Sequence, residues 1–370
     1  MGKKAKKPLV VEVVTDPADL DPLLDDWAAL AEQVAVGQFG FPSFALEWWR
    51  RHGSGRLLVA VARKGDRLIG LLPLHERAYG VGHVIRWLGH GLGTMGAALV
   101  APDANDPDEV AAALWQAVAD AASPRVALQL TEHRLDAPGL VALRSHDAWD
   151  VRCELRSMVP VIDLRGTSLE ALLAGTAKRK LRHTLTTAER DLDAAGVTWS
   201  TEIVDDLDTF EGVLPEIDAA FDASEAADAK LHLLAGEHRA ATLDALRACF
   251  ERQQAVVAMV RIDGRVVAFD ISLRAGRQLF GYIRRHDPVA RAYSPGHLLM
   301  RAGVEDAIGR GIEVFDLGLG ADPYKLRWAN DHYDAVVVTG GRTGSGGVAA
   351  SAVAGLDGLF ELRRKLLTRD

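Results

Sequence analysis

The chain has 370 residues and a formal net charge of -8, with 48% hydrophobic and 25% charged residues. This length predicts two domains, because a single hydrophobic core rarely extends over so many residues. The acidic balance argues against DNA as a partner, since non-specific binding needs a wide basic face. The sequence contains no run of about 20 apolar residues, and its basic start lacks the apolar stretch of a signal peptide. With two distant cysteines outside any CxxC pair, these features predict a cytoplasmic protein without a membrane span.

Strand and helix patterns alternate along the first half of the chain, and Lys64-Gly65-Asp66 separates two β-rich runs as a hairpin turn would. The predicted elements are strand 9–14, a helix starting at Asp16-Pro17, helix 44–51, strands 57–63, 68–75, 84–88 and 97–100, helix 108–121, and strands 126–130 and 149–156.

The second half follows a similar order, with Asp263-Gly264 as its hairpin turn. The predicted elements are strand 160–164, helices 168–174 and 177–195, strand 197–204, helices 207–223 and 236–252, strands 255–262, 266–274 and 278–284, helix 295–309, strand 314–317, helix 323–328 and strand 333–339. The shared order indicates an internal duplication. It predicts an N-terminal domain over 8–155, a C-terminal domain over 156–345 and a helical tail over 346–370.

A candidate phosphate site lies where the strand ending near His286 leads into the helix at Pro295. Ser294 suits a helix N-cap, Pro295 the first helical position, and Gly296 close approach of a ligand to the backbone. The N-terminus of a helix near Arg291 suits a pyrophosphate, although an ordinary capped helix has the same sequence pattern.

A second constellation follows along the chain. A buried strand ends at Asp316, and a Gly-rich loop then leads to a short helix with Tyr324 and Lys325. Ligands of α/β folds bind at such strand ends, so Asp316 is a candidate substrate contact.

These motifs, taken in order, resemble the GNAT-type acetyltransferase domain of the CelD/BcsL group, which is related to the FemAB-like transferases. The matching segments cover roughly 159–334 and are Lys178–His183, Gly264–Phe269, Tyr282 with His286-Asp287-Pro288, Ser294-Pro295-Gly296, Phe315–Gly318 and Tyr324-Lys325. The resemblance implies an α/β fold of two tandem GNAT-like domains, each a mixed, mostly antiparallel sheet flanked by helices. The usual pyrophosphate loop, Arg/Gln-x-x-Gly-x-Gly/Ala, is replaced by Arg291-Ala-Tyr-Ser-Pro-Gly.

The resemblance further implies direct transfer of an acyl group from a thioester, acetyl-CoA or another acyl-CoA, to an amine. Asp270, in an otherwise apolar strand, is the first candidate for general base or amine anchor, or else a carboxylate paired for structure alone. His286 and Asp287 are second candidates, and Tyr324 or Lys325 would stabilise or protonate the leaving thiolate. The predicted donor contacts are Arg291, Tyr293, Ser294, Pro295, Gly296 and His297.

A basic helix over Lys178–Arg182 adds candidate contacts to an anionic group of substrate or donor, through Lys178, Arg179 and Arg182, with Tyr282 as a further substrate contact. A solvated helix face is the alternative. The histidines show no HxxxH or HExxH grouping, so the sequence predicts no catalytic metal.

The leading hypothesis is an N-acyltransferase whose acceptor is an amino sugar, a nucleotide-linked sugar, an amino acid or a small metabolite, with envelope polysaccharide metabolism suggested by the family. One alternative is an aminoacyl-tRNA-dependent transferase of cell-wall synthesis, for which tRNA would be a partner. Another is a degenerate GNAT fold that binds a ligand or acts as a scaffold, and the N-terminal domain is expected to be non-catalytic or to shape the acceptor site. The sequence leaves open whether the protein forms a homodimer.

Overall fold

Two structural units make up the chain in the computed structural model, which describes residues 7–35, 38–80, 82–93, 95–225 and 233–344. Unit 1 contains the chain up to Arg156 and again from Asp334, and unit 2 contains Ser157–Tyr333. The divisions fall inside the strands Trp149–Asp163 and Asp331–Arg342, so each of these strands contributes residues to both units.

Unit 1 is a mixed sheet with helices, in the strand order β1-β2-β3-β4-β6-β13, with β5 paired to β3. Its elements are β1 (Leu9–Val14), α1 (Leu24–Val34), α2 (Pro42–His52), β2 (Arg56–Lys64), β3 (Arg67–Tyr79), β4 (Gly82–Trp87), β5 (Leu99–Val100), α3 (Pro107–Ala121), β6 (Val126–Arg134), α4 (Pro138–Arg144), β7 (Trp149–Asp163) and β13 (Asp331–Arg342).

Unit 2 has the strand order β7-β12-β11-β10-β9-β8, where β7 takes part through residues 161–163. Its elements are α5 (Leu169–Leu173), α6 (Arg179–Ala194), β8 (Trp199–Val204), α7 (Leu207–Glu225), α8 (Arg239–Glu251), β9 (Ala255–Ile262), β10 (Arg265–Ala275), β11 (Gln278–His286), α9 (Pro295–Gly309), β12 (Val314–Asp316) and α10 (Pro323–Trp328).

A hairpin with a two-residue turn and the same pattern of strand pairing occur in both units. The turn Asp263-Gly264 joins β9 to β10 with φ of 48° and 76°, the left-handed values that a two-residue hairpin turn needs. In unit 1 the strand after the hairpin, β4, pairs in parallel with β6, and in unit 2 β11 pairs in parallel with β12. The other pairings within each unit are antiparallel. The predicted class, an α/β fold with mixed and mostly antiparallel sheets flanked by helices, is confirmed.

One face of the unit 2 sheet is covered by α6 and α9. The buried residues of α6 recur at helical spacing as Leu181, Leu185, Ala188 and Leu192, and they pack with α9 over β9, β10 and β11. Such a stripe drives the helix onto the sheet through removal of apolar surface from water. Strand register places Asp270 opposite Ala258, which belongs to this same core.

Several boundaries differ from the sequence prediction. The last strand was assigned to the C-terminal domain, but residues 335–341 pair with β6 in unit 1. Strands 149–156 and 160–164 form one strand, β7, and α4 was not predicted. The predicted tail, 346–370, lies outside the described residues.

Candidate active site

A crevice opens in unit 2 where two parallel strands diverge. The pairing of β11 with β12 ends at Phe280 and Asp316, while β11 continues to His286. Within the described part of the chain, no strand pairs with that edge of β11 beyond Phe280. A β-bulge lies immediately after this point, because Ile271 pairs with Ile283 and Ser272 with Gly281, which leaves Tyr282 as the extra residue. Bulges often end pairing and redirect side chains beside active sites.

Asp270 lies beside this crevice in an ion pair with Arg284. The two residues are opposite each other on β10 and β11. Arg284 donates through Nε at 2.9 Å, and also through Nη2, to Oδ2 of Asp270. Asp270 is 4% exposed, and its other oxygen, Oδ1, is buried without a hydrogen-bond partner in the described residues. A buried oxygen of this kind is costly unless a ligand or water satisfies it.

Tyr324 joins the same cluster from α10. Arg284 Nη1 lies 3.3 Å from the Tyr324 hydroxyl oxygen, and the guanidinium stacks 5.6 Å from the ring centre. Burial alone would lower the pKa of Arg284, but Asp270 and Tyr324 hold it above its usual value. Because the arginine donates to the tyrosine oxygen, the hydroxyl hydrogen of Tyr324 is left to point elsewhere. Arg284 is the residue that sequence reasoning missed.

Tyr282 is not brought to this cluster. As the bulged residue of β11, it turns towards α8, where its hydroxyl lies beside Cys249 and Thr242, and burial raises its pKa. It remains a predicted substrate contact only by sequence resemblance.

The start of α9 leaves space for a ligand. Ser294 occupies the N-cap position with φ of 49° and makes no side-chain capping bond, which differs from the capping expected of it. Left-handed backbone at a serine is strained and is found preferentially at ligand sites. A methyl group built on Gly296 would meet no atom within 4 Å, so the first turn of this helix is open on that side.

The segment between β11 and α9 is held mainly by its own residues. Asp287 caps the short helix Pro288–Tyr293 through Val289 N at 2.9 Å, and Tyr293 packs against the core. Arg291 is exposed, and Pro295 is buried. His286 is half-buried, two residues beyond Arg284. Burial lowers the pKa of His286 most, and the positive charge of Arg291 lowers it further. The contacts of these residues with a ligand stay predictions.

His297 is half-buried and binds Trp328. Trp328 Nε1 donates to His297 Nδ1 at 3.1 Å, and Arg327 Nη1 lies 3.5 Å from His297 Nε2. Burial, and then the positive charge of Arg327, lower the pKa of His297 to about 4. The side chain therefore has a structural partner in addition to its predicted contact with the donor.

This arrangement predicts a pH-dependent stability. An unfolded histidine has a pKa of about 6.5, so between about pH 6.5 and 4 the unfolded chain binds a proton that the folded chain excludes. Above this window the neutral form of His297 should make the folded state more stable by about 1–2 kcal/mol, a value reduced because the side chain is partly exposed. This stability is lost as the pH falls through the window. Denaturant unfolding of the wild type and His297→Asn across pH 4–7 measures it. Parallel curves would contradict the assignment, and His183→Asn, at an exposed position, is the control.

Asp316 and Lys325 hold the loop between β12 and α10. Asp316 accepts from Gly318 N at 2.8 Å and from the Tyr333 hydroxyl at 2.5 Å, and it is 7% exposed. Lys325 Nζ donates to the carbonyl oxygens of Gly318 at 3.2 Å and Leu319 at 2.5 Å. Both side chains thus shape the Gly-rich loop that carries Tyr324 to the crevice.

The basic helix is divided between two roles. Lys178 Nζ donates to the carbonyl oxygens of residues 327, 328 and 329 at 2.8–3.0 Å, at the C-terminal end of α10. Arg182 donates to the carbonyl oxygens of Leu173 and, at 2.8 Å, Gly175. Arg179 is exposed and remains the candidate anion contact.

No candidate metal site is found within the ranges that the structure describes, since no three His, Cys, Asp or Glu residues there are grouped so as to hold an ion. None of the described helices combines the length and the apolar character that a membrane span needs.

Part of unit 2 is similar to a known protein family. Residues 179–326 match a family model described as an acetyltransferase (GNAT) domain, and this range contains Asp270, Arg284 and Tyr324. The matched range lies within unit 2, so this unit is similar to GNAT-type acetyltransferase domains. No curated protein sequence matches the chain.

Solved structures share the fold over most of the chain. FemX aligns with a TM-score of 0.62 at 11% identity, over 84% of this chain and 95% of its own. The C-terminal domain ascribed to a lysylphosphatidylglycerol synthetase of Agrobacterium fabrum aligns with a TM-score of 0.57 at 14% identity, over 91% and 95%. L-PGS from Bacillus licheniformis aligns with 0.55 at 13% identity, over 91% and 96%. At these identities the likeness shows the fold alone.

Proposed function

We propose that the protein is an N-acyltransferase that moves an acetyl or other acyl group from acyl-CoA to an amine. The observation that carries the proposal is the cluster of Asp270, Arg284 and Tyr324 at the point where β11 and β12 diverge. In this cluster one oxygen of the buried Asp270 carboxylate accepts no hydrogen bond from the described residues, and the hydroxyl hydrogen of Tyr324 is not engaged by Arg284. These are the acceptor and the donor that aminolysis of a thioester requires.

The chemistry follows from these two groups. The amine attacks the thioester carbonyl carbon, a C–N bond forms, and the C–S bond breaks. Asp270 Oδ1 takes the proton that the amine loses, and the Tyr324 hydroxyl supplies one to the leaving thiolate. Backbone N–H groups on the unpaired edge of β11 would stabilise the charge that develops on the carbonyl oxygen.

The donor's phosphates would lie at the start of α9. The open side of Gly296, the positive end of a 15-residue helix and the exposed Arg291 support this placement. Calorimetry and thermal unfolding with acetyl-CoA test it: the absence of both heat and stabilisation at millimolar ligand would exclude acetyl-CoA as the donor. The finer resemblance to the CelD/BcsL group, with an amino sugar or nucleotide-linked sugar among the acceptors, belongs to the same proposal.

Tyr324→Phe removes the proton donor and keeps the ring that stacks on Arg284. We expect acyl transfer to fall by about 10–100-fold, with acetyl-CoA affinity unchanged, because general acid catalysis typically contributes about 10²–10⁴-fold and water can replace part of it. Thiol release under saturating donor measures the rate. Tyr282→Phe is the matched control, since its hydroxyl faces α8. An equal loss in both variants would contradict the role of Tyr324.

An aminoacyl-tRNA donor is the second candidate. The shared fold with FemX and with proteins named as lysylphosphatidylglycerol synthetases favours it. It predicts tRNA binding that weakens steeply with salt, through exposed basic residues such as Arg179. Filter binding with charged tRNA, run beside the acetyl-CoA titration, separates the two donors.

We propose a non-catalytic role for unit 1. Its parallel strands β4 and β6 also diverge after three pairs, but Arg86 on β4 donates to Gln129 on β6 at 2.6 Å just beyond that point. Both side chains are buried, so they occupy the position that a ligand would need.

A further inference from the structure

A cavity lies in unit 2, away from the proposed acyl site. It has a volume of about 110 Å³ and lies between the start of β9, the end of β10 and the last turn of α9. One water needs roughly 10–15 Å³ of such space, so a small organic molecule fits. Arg274 lines it, four residues beyond Asp270 on β10 and therefore about 13 Å away along the strand.

Arg274 is a cation with no partner in this cavity. Its Nε is buried and makes no hydrogen bond, and no carboxylate of the described residues pairs with its guanidinium. A buried guanidinium N–H left unpaired costs free energy, which a bound carboxylate would recover through charge-assisted hydrogen bonds.

The opposite charge lies across the same cavity. Arg310 donates to Oδ2 of Asp306 and to Oδ2 of Asp205, each at 2.7 Å. These three side chains together carry one net negative charge, and both Oδ1 atoms receive no hydrogen bond from the described residues. Asp306 and Ala307 line the cavity from the last turn of α9, and the C-terminal end of this helix adds a partial negative charge.

Apart from Gln253, the remaining walls are apolar, formed by Ala255, Val256, Leu279, Ala307 and Ile312. A small molecule that carries both a carboxylate and an ammonium on a short hydrocarbon body complements this lining. We propose that this cavity binds a small free α-amino acid in its zwitterionic form, with its carboxylate on Arg274 and its ammonium on Asp306 and Asp205. The site is independent of the proposed acyl-transfer function.

Calorimetry on the full chain with glycine and L-alanine tests the proposal. We expect saturable binding of both, with much weaker binding of acetate and ethylamine, which each carry one of the two charges. L-Tryptophan should not bind, because its side chain exceeds the cavity. Equal affinity for acetate and glycine, or no binding of either amino acid, would overturn the zwitterion site.

Variants locate the site. Arg274→Met should weaken alanine binding by about tenfold or more. Arg277→Met, at an exposed arginine three residues away, should leave it unchanged, as should Asp270→Asn in the acyl site. If Arg274→Met does not fold, Arg274→Lys against Arg277→Lys decides, with weaker binding expected only in the former. Loss of binding in Asp270→Asn but not at Arg274 would place the amino acid in the acyl site and sink the proposal.

Discussion

Asp270→Asn is expected to lower acyl transfer by about 10²–10⁴-fold, the range that a general base typically contributes. The amide keeps the shape of the side chain but cannot take a proton from the amine. Because Asp270 lies on β10 and the start of α9 is a separate element, acetyl-CoA affinity should stay nearly unchanged. Single-turnover thiol release and donor titration separate the two effects.

The control for this variant is Asp316→Asn. Asp316 is also buried in unit 2, but both its oxygens already accept hydrogen bonds from Gly318 and Tyr333. We expect that variant to lose stability with a smaller loss of rate in the folded fraction. If Asp270→Asn retains full turnover, the proposed base is wrong and His286 becomes the next candidate.

Arg284→Met is expected to give the largest loss of stability, roughly 3–5 kcal/mol, because it leaves the Asp270 carboxylate buried without its partner. The side chains of Arg284 and Asp270 are 14% and 5% exposed, so water cannot replace the missing charge. Denaturant unfolding measures the change. Arg190→Met, which breaks an exposed pair with Asp191, should cost about 0–1 kcal/mol.

The double variant Asp270→Asn/Arg284→Met distinguishes an ion pair from two separate effects. Removal of both charges should cost less than the sum of the single changes, since no uncompensated carboxylate remains. Simple additivity of the two losses would show that the pair is not coupled and would contradict the role assigned to Arg284.

Much of unit 2 could be predicted locally. The hairpin at Asp263-Gly264, the bounds of β9 and α9, and the polar positions Asp270 and Tyr324 follow from turn chemistry and apolar spacing, which depend on neighbouring residues. The role of Asp316 and Lys325 in the loop could not be predicted, because their partners are backbone atoms whose positions depend on the folded loop.

The partner of Asp270 shows most clearly what could not be predicted from the local sequence. A regular β10–β11 hairpin with Ala275 opposite Gln278 would place the apolar Ile283 opposite Asp270. The bulge at Tyr282 shifts the register by one residue and brings Arg284 there instead. No local signal marks a bulge at Tyr282.

The sequence by itself therefore determined the α/β class, the order of the elements and the resemblance to a GNAT-type domain, since periodicity and turn residues act over short distances. Only the tertiary structure decided that β13 pairs in unit 1, that Tyr282 faces α8, and that Arg284 joins Asp270 to Tyr324. These outcomes depend on strand register and on contacts between distant segments, which are selected by the packing of the whole sheet.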